Sequence, residues 1–174
     1  MSLSVHQVSV AVFERMLTNL FGVLDKAGAH AAAKKFDPNN YLAIRLAPDM
    51  LPFVNQIRLC SDHAKRATAR MAGVEAPAYE DNEKTFDECK ARVQKTLDYI
   101  KGFKPAQFEG SETKPLVVPA GVNKKRTWPT AGDYLLVNAI PNFFFHVTTA
   151  YAILRESGVD IGKNDFIGAQ PPAL

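Results

Sequence analysis

Four polar side chains recur at helical spacing within the most apolar segment of the chain, residues 134–154. They are Asn138, Asn142, His146 and Thr149, and at about 3.6 residues per turn they share one line along a helix. A buried polar side chain needs a hydrogen-bonding partner, and an imidazole can also accept a proton or bind a metal ion. This line therefore predicts one wall of a site for a ligand or for chemistry.

A second polar line lies on an earlier predicted helix, where Asp49, Gln56, His63 and Arg70 follow one another at seven-residue spacing. Such a line is typical of the solvated edge of an amphipathic helix. The alternative is that Gln56 and His63 turn toward His146 and close a polar pocket. The candidate ligand-binding residues are then His146, Asn142, His63, Gln56 and Thr149.

Metal binding and nucleophilic catalysis are less well supported by the residues themselves. His146 and His63 could hold a zinc ion together with a carboxylate such as Asp49 or Asp62, because a catalytic zinc site takes three protein ligands and a water. No HExxH, HxxxH or His-Cys cluster is present in the sequence. Cys60 precedes His63 by about one turn, but a free cysteine at such a position is typically buried and inert.

Apolar residues at steps of three and four predict four long helices, over residues 4–35, 49–71, 85–101 and 130–157. A β-hairpin is predicted between about residues 115 and 128, and a loop after residue 158. Pro141 lacks an amide hydrogen and should bend the last helix about one turn earlier. These elements predict an all-α fold, an antiparallel four-helix bundle forming one domain over residues 1–174.

Composition and charge exclude several classes of function. A net charge of +3 is too small to indicate nucleic-acid binding. We find neither a secretory signal nor an 18-residue uncharged apolar segment free of Pro and Asn, so no membrane association is expected. The two cysteines, Cys60 and Cys89, do not suggest a disulfide framework. We therefore expect a cytoplasmic protein.

Four stretches of the chain resemble an uncharacterised bacterial family, number 1993 among the domains of unknown function, within the DinB/YfiT-like superfamily. They are Leu46-Ala47-Pro48-Asp49-Met50, the segment from Tyr79 to Phe86, the segment from Asn142 to Tyr151 and the segment from Gly162 to Gly168. The resemblance implies a four-helix bundle with a long crossover, often dimeric. A last helix that is apolar around most of its circumference also favours a homodimer.

Many members of that superfamily hold a divalent metal such as zinc or nickel with three histidines, and several act as thiol-dependent transferases or isomerases. Carried over by position, the histidine pair of the last helix would fall on Asn142 and His146. The histidine of the second helix would fall near Gln56, with His63 two turns later. Because this set is incomplete, we expect that the chain binds no metal.

Three hypotheses of different classes remain open from the sequence. The first is a small-molecule binding protein with a polar pocket inside the bundle. The second is a DinB-like metal- or thiol-dependent transferase or isomerase with a degenerate metal site. The third is a structural homodimer without a ligand. Metal content and ligand-induced stabilisation would separate them.

Overall fold

Helices carry most of the chain in the computed structural model, which describes residues 3–172. Seven α-helices are labelled in chain order: α1 Val5–Val8, α2 Val10–Lys34, α3 Phe53–Met71, α4 Phe86–Lys101, α5 Ala131–Tyr134, α6 Ile140–Glu156 and α7 Lys163–Ile167. A π-helix, Leu135–Ala139, joins α5 to α6, and 3-10 helices span Pro38–Ala43 and Pro105–Phe108. The strands are β1 Leu116–Pro119 and β2 Lys125–Trp128.

The four long helices α2, α3, α4 and α6 form the bundle, so the predicted all-α four-helix fold is confirmed. Helix α3 packs between α4 and α6, and α2 contacts the same two helices from the opposite side. The ion pairs of Lys90 with Asp25 and of Lys101 with Glu14 show that α2 and α4 run antiparallel. Helices α3 and α4 run parallel, since residues 72–85 cross back along the bundle, which is the long crossover that the resemblance implied.

The first predicted helix is interrupted at Ser9, whose backbone departs from helical geometry between α1 and α2. Ser4 caps α1 as a capping box with Gln7. The second predicted helix begins at Phe53 rather than at Asp49. Its N-cap is Pro52, and a proline disfavours helical geometry at the residue before it, so the helix cannot extend upstream.

The last predicted helix begins with α5, which is capped by Thr130: the Thr130 hydroxyl accepts a hydrogen bond from the Asp133 amide at 3.0 Å. A π-turn then forms in the stretch before Pro141, with the Ile140 amide donating to the Leu135 carbonyl. The irregularity that the proline predicted one turn earlier is thus an extra residue in the helix.

The segment after Gly158 is not entirely a loop, because Lys163–Ile167 forms the short helix α7. A carboxylate oxygen of Asp165 accepts from the Gly162 amide at 2.8 Å, and the Asp165 side chain also pairs with Lys26 on α2 at 2.7 Å. The Phe166 ring packs edge-on against Tyr151 of α6, with the centroids 5.5 Å apart. Helix α7 thereby covers one side of α2 and α6.

The predicted hairpin is present, with Leu116 opposite Trp128 and Pro119 opposite Lys125. The turn contains Gly121 and Asn123, both with positive φ. Among the helices of residues 3–172, none is both long enough and apolar enough to cross a membrane.

Candidate functional site

A hydrogen bond between Gln56 and His146 joins α3 to α6 inside the bundle. Oε1 of Gln56 lies 2.8 Å from Nδ1 of His146, and the two residues are only 1% and 8% exposed. The Nε2 amide of Gln56 donates to the Leu51 carbonyl at 2.8 Å, which leaves Oε1 to face the imidazole. Because Oε1 can only accept, Nδ1 of His146 carries the proton and Nε2 bears the lone pair.

His63 of α3 is the third member of this cluster. Its ring stacks on that of His146 with centroids 5.5 Å apart and an interplanar angle of 16°. Burial lowers the pKa of His63 to about 4, helped by the nearby His146 and Arg66 and opposed by Asp62. Burial also lowers the pKa of His146. Both imidazoles are therefore neutral at pH 7, and they offer lone pairs rather than positive charge.

The other two predicted residues, Asn142 and Thr149, lie one turn before and one turn after His146 but do not bond to it. The Asn142 amide donates to the Asn138 carbonyl at 2.7 Å, and the Thr149 hydroxyl donates to the Phe145 carbonyl at 2.7 Å. Each side chain thus donates a hydrogen bond to the backbone of its own helix rather than to His146. The structure brings together Gln56, His63 and His146.

The seven-residue polar line on α3 is not a solvated edge throughout. Gln56 is buried, His63 is half-buried, and Arg70 donates to the Tyr134 hydroxyl at 2.7 Å. Only Asp49, which lies before the helix, is exposed. Most of this line faces the last helix and its N-terminal extension.

An apolar groove of about 450 Å³ lies beside the cluster. The Phe145 ring packs edge-on against the His146 ring, with centroids 5.2 Å apart, and Thr149 follows one turn later. Both residues belong to the groove wall, whereas His146 itself is not one of the lining residues. Its lining carries no charged side chain and consists of Leu46, Met50, Pro141, Phe144, Phe145, Thr148, Thr149 and Ala152.

The model of a family described as a domain of unknown function, DUF1993, matches residues 5–167. The chain belongs to the DUF1993 family. It is similar to a crystal structure of a DinB family member protein from Shewanella denitrificans, with 37% sequence identity and a TM-score of 0.88. That match covers 97% of this chain and 94% of the other. No curated protein matches the chain significantly.

The residues of this DUF1993 member do not fit the three-histidine metal site that the DinB resemblance implied. Gln56 stands near the position expected for the second-helix histidine, and its oxygen is bound to His146 instead. Asn142 replaces the other histidine, and amides are poor zinc ligands. Asp62, one of the two carboxylates considered above, is bound by Lys65, Arg66 and Arg92.

No group of three or more His, Cys, Asp or Glu side chains suited to a metal ion occurs in residues 3–172. The hydrogen bond between the helices occupies the position where the resemblance implied a metal ligand. No step through a metal follows from this donor set.

The cysteines offer no nucleophile to the site. Cys60 and Cys89 are free and buried, and burial raises the pKa of each thiol to about 12. The Cys60 thiol donates to the Ile57 carbonyl, with sulfur and oxygen 3.2 Å apart. A thiolate relay between Cys60 and His63 is therefore disfavoured at neutral pH.

A buried charge network between α3 and α4 was missed in the sequence. Arg92 pairs with Asp62, Asp81 and Glu83 at 3.1, 3.0 and 2.7 Å, and Arg58 pairs with the same Glu83 at 2.7 Å. Burial acts to raise the pKa of Glu83, but hydrogen bonds from the two arginines outweigh it, so the pKa is lowered. The network ties the crossover, residues 72–85, to the bundle.

The aromatic ring of Tyr79 covers the same network from the crossover. Nζ of Lys65 lies 3.6 Å from the ring centroid and Nζ of Lys95 lies 4.3 Å from it. Lys65 is 1% exposed, and burial lowers its pKa while Asp62 opposes that change. The sequence did contain a signal for this network: Lys65 follows the core-facing Ala64, and a cation at a buried position requires a partner of opposite charge.

Proposed function

We propose that this protein binds a small molecule at His146. The ligand places an apolar group in the groove beside α6 and donates a hydrogen bond to Nε2 of His146. The fixed tautomer carries the proposal: Gln56 holds the proton on Nδ1, which presents Nε2 as an acceptor. No hydrogen bond to Nε2 is present among residues 3–172.

The surroundings define the class of ligand. The groove has no charged wall, and the neighbouring imidazoles are neutral. A charged ligand would lose its hydration there without an ion partner. The ligand is therefore an uncharged apolar molecule with one hydroxyl or amide donor.

A thermal-shift screen of small apolar alcohols and amides tests this proposal. Ligands that bind the folded state raise the melting temperature by mass action. We expect the shift to be lost in His146→Ala and retained in His6→Ala, a matched control near the N-terminus. A library without any stabilising compound, or a shift that persists in His146→Ala, would contradict the proposal.

A second candidate function is structural: a homodimer that uses the exposed face of the last helix. Leu136, Val137 and Phe145 are 62%, 66% and 56% exposed, although each is a large apolar side chain. A second copy of this chain is the occupant that we propose for this face. This face includes Phe145, which also belongs to the wall of the groove beside His146, so a dimer and a ligand would compete for that residue.

Sedimentation tests the dimer. We expect twice the chain mass of 19.2 kDa for the wild-type protein at micromolar concentration. Val137→Glu should give the monomer, whereas Val122→Glu in the hairpin turn should not. A wild-type monomer would refute the dimer.

We assign no reaction to this protein. The metal- or thiol-dependent activity that the resemblance implied needs metal ligands or a reactive thiol, and the residues described above do not provide them.

A further inference from the structure

A second hollow, of about 490 Å³, lies where α1, the 3-10 helix Pro105–Phe108 and the π-helix meet. It shares no lining residue with the groove beside His146. Phe108 and Leu135 are buried in its wall, Val5 and Val8 are half-buried, and Leu136 is exposed at the surface. The hollow therefore offers a preformed apolar surface of the size that a small ligand needs.

Two carboxylates, Glu109 and Glu112, also line this hollow. Both residues are exposed, and neither forms an ion pair within residues 3–172. No lysine, arginine or histidine is part of the lining. This local negative charge contrasts with the net charge of +3 of the whole chain. The hollow thus combines an apolar wall with two carboxylates that form no ion pair within residues 3–172.

The backbone on the Glu112 side is held in place. The Gly132 amide donates to the Glu112 carbonyl at 2.9 Å, and the Ala131 amide donates to the Lys114 carbonyl at 2.7 Å. A Cβ on Gly132 would lie 3.1 Å from the Glu112 carbonyl oxygen, which explains the glycine at this close approach. The segment that carries the carboxylate is thereby fixed to the start of α5.

The π-helix forms part of the wall of this hollow. Leu135 and Leu136 are its first two residues, and both line the hollow. Short π-helices within α-helices are rare and occur frequently at functional sites. Here the widened turn places two successive leucines at the same hollow.

We propose that this hollow binds a small apolar cation, an alkylammonium or arylammonium ion. Its hydrocarbon part packs on Phe108, Leu135 and Val8, and its ammonium group faces Glu109 and Glu112. Apolar burial supplies affinity, and the two carboxylates favour a cation over a neutral or anionic molecule. This site differs from the one at His146, whose surroundings favour an uncharged ligand.

Titration of the full chain with three probes of equal chain length, hexylamine, hexanol and hexanoate, tests the proposal by methyl NMR, with each affinity measured at the methyl signals of this hollow so that binding at His146 is not counted. We expect hexylamine to bind about fivefold more tightly than hexanol, and hexanoate to bind least. The NMR signals of Val5, Val8 and Leu135 should shift. Hexylamine that binds no more tightly than hexanol, or shifts confined to other methyl groups, would overturn the proposal.

Two double variants test whether the carboxylates of the hollow determine the preference for a cation. Glu109→Gln combined with Glu112→Gln should reduce the affinity for hexylamine to that for hexanol. Glu75→Gln combined with Glu156→Gln, which removes the same charge from exposed positions outside the hollow, should leave the preference intact. All four positions are exposed, so folding is retained. A wild-type preference in the first double variant would refute the role of the carboxylates.

Discussion

Oε1 of Gln56 lies 2.8 Å from Nδ1 of His146, and this contact decides which ring nitrogen carries the proton. The amide is itself oriented by its bond to the Leu51 carbonyl, at the loop that precedes α3. A backbone carbonyl thus controls the tautomer of an imidazole on another helix. This arrangement leaves the lone pair on Nε2 of His146 as the hydrogen-bond acceptor of the site.

Replacing Gln56 by Glu should raise the pKa of His146. The carboxylate can still accept from Nδ1, but its negative charge stabilises the imidazolium. The pKa is measured by NMR of the ring nitrogens during a pH titration. Gln56→Leu, which removes the acceptor, should instead cost about 1–3 kcal/mol in the free energy of unfolding. An unchanged pKa in the Glu variant would contradict the assigned contact.

The stability of the protein should fall between about pH 6.5 and pH 4 because of His63. Its pKa is about 4 in the folded chain and 6.5 in the reference state, so the unfolded chain binds more protons in this window. Stability that is complete above pH 6.5 is lost progressively as the pH falls toward 4. The loss is on the order of 2–3 kcal/mol.

Urea denaturation at pH 7.0, 5.5 and 4.0 measures this loss, with His63→Gln as the comparison. The variant should lose less stability over the window than the wild-type protein does. His6→Gln serves as the control and should follow the wild type. Equal slopes for wild type and His63→Gln would rule out His63 as the titrating group.

Removal of Arg92 should destabilise the protein strongly. The change Arg92→Met leaves Asp62 and Glu83 with fewer partners in a buried site, which costs about 3–5 kcal/mol. Lys101→Met removes an exposed partner of Glu14 at 3.7 Å and should cost less than about 1 kcal/mol. Both values come from denaturant unfolding at pH 7. Similar costs for the two variants would show that the buried network adds no stability.

Zinc or nickel should not stabilise the folded protein through His63 and His146. The two amides, Gln56 and Asn142, leave the donor set short of three suitable ligands. We expect either metal to change the melting temperature by the same amount in the wild type and in the double variant His63→Ala with His146→Ala. Each change is measured relative to the same protein without metal. A metal-dependent stabilisation present only in the wild type would restore the metal site.

The bundle and its caps were predictable because they depend on local signals. The spacing of apolar residues predicted α2, α3, α4 and the last helix. In the structure, Thr85 and Glu88 form a capping box at the start of α4. Helix α7 was missed because five residues are too few to show a helical period. Helix α3 begins later than the predicted Asp49, because Pro52 disfavours helical geometry at the residue before it.

The sequence predicted which residues of the candidate site come together better than it predicted their hydrogen bonds. Helical spacing placed His146, Gln56 and His63 on facing lines, since a seven-residue interval returns to nearly the same side of a helix. It could not show that Asn142 and Thr149 bond to their own backbone. The pairing of Arg92 with Asp62, Asp81 and Glu83 joins three separate segments, and sequence spacing carries no information about such contacts.

The extra residue of the π-helix Leu135–Ala139 has a consequence for chain length. Each residue of an α-helix turns it by about 100°, so deleting one residue here would rotate α5 and the hairpin about α6 by roughly that angle. Tyr134 would leave Arg70 on α3 but keep Trp128, which rotates with it, while Gln56 and His146 would stay together. A single inserted codon is thus sufficient to decide which side of the bundle the hairpin covers.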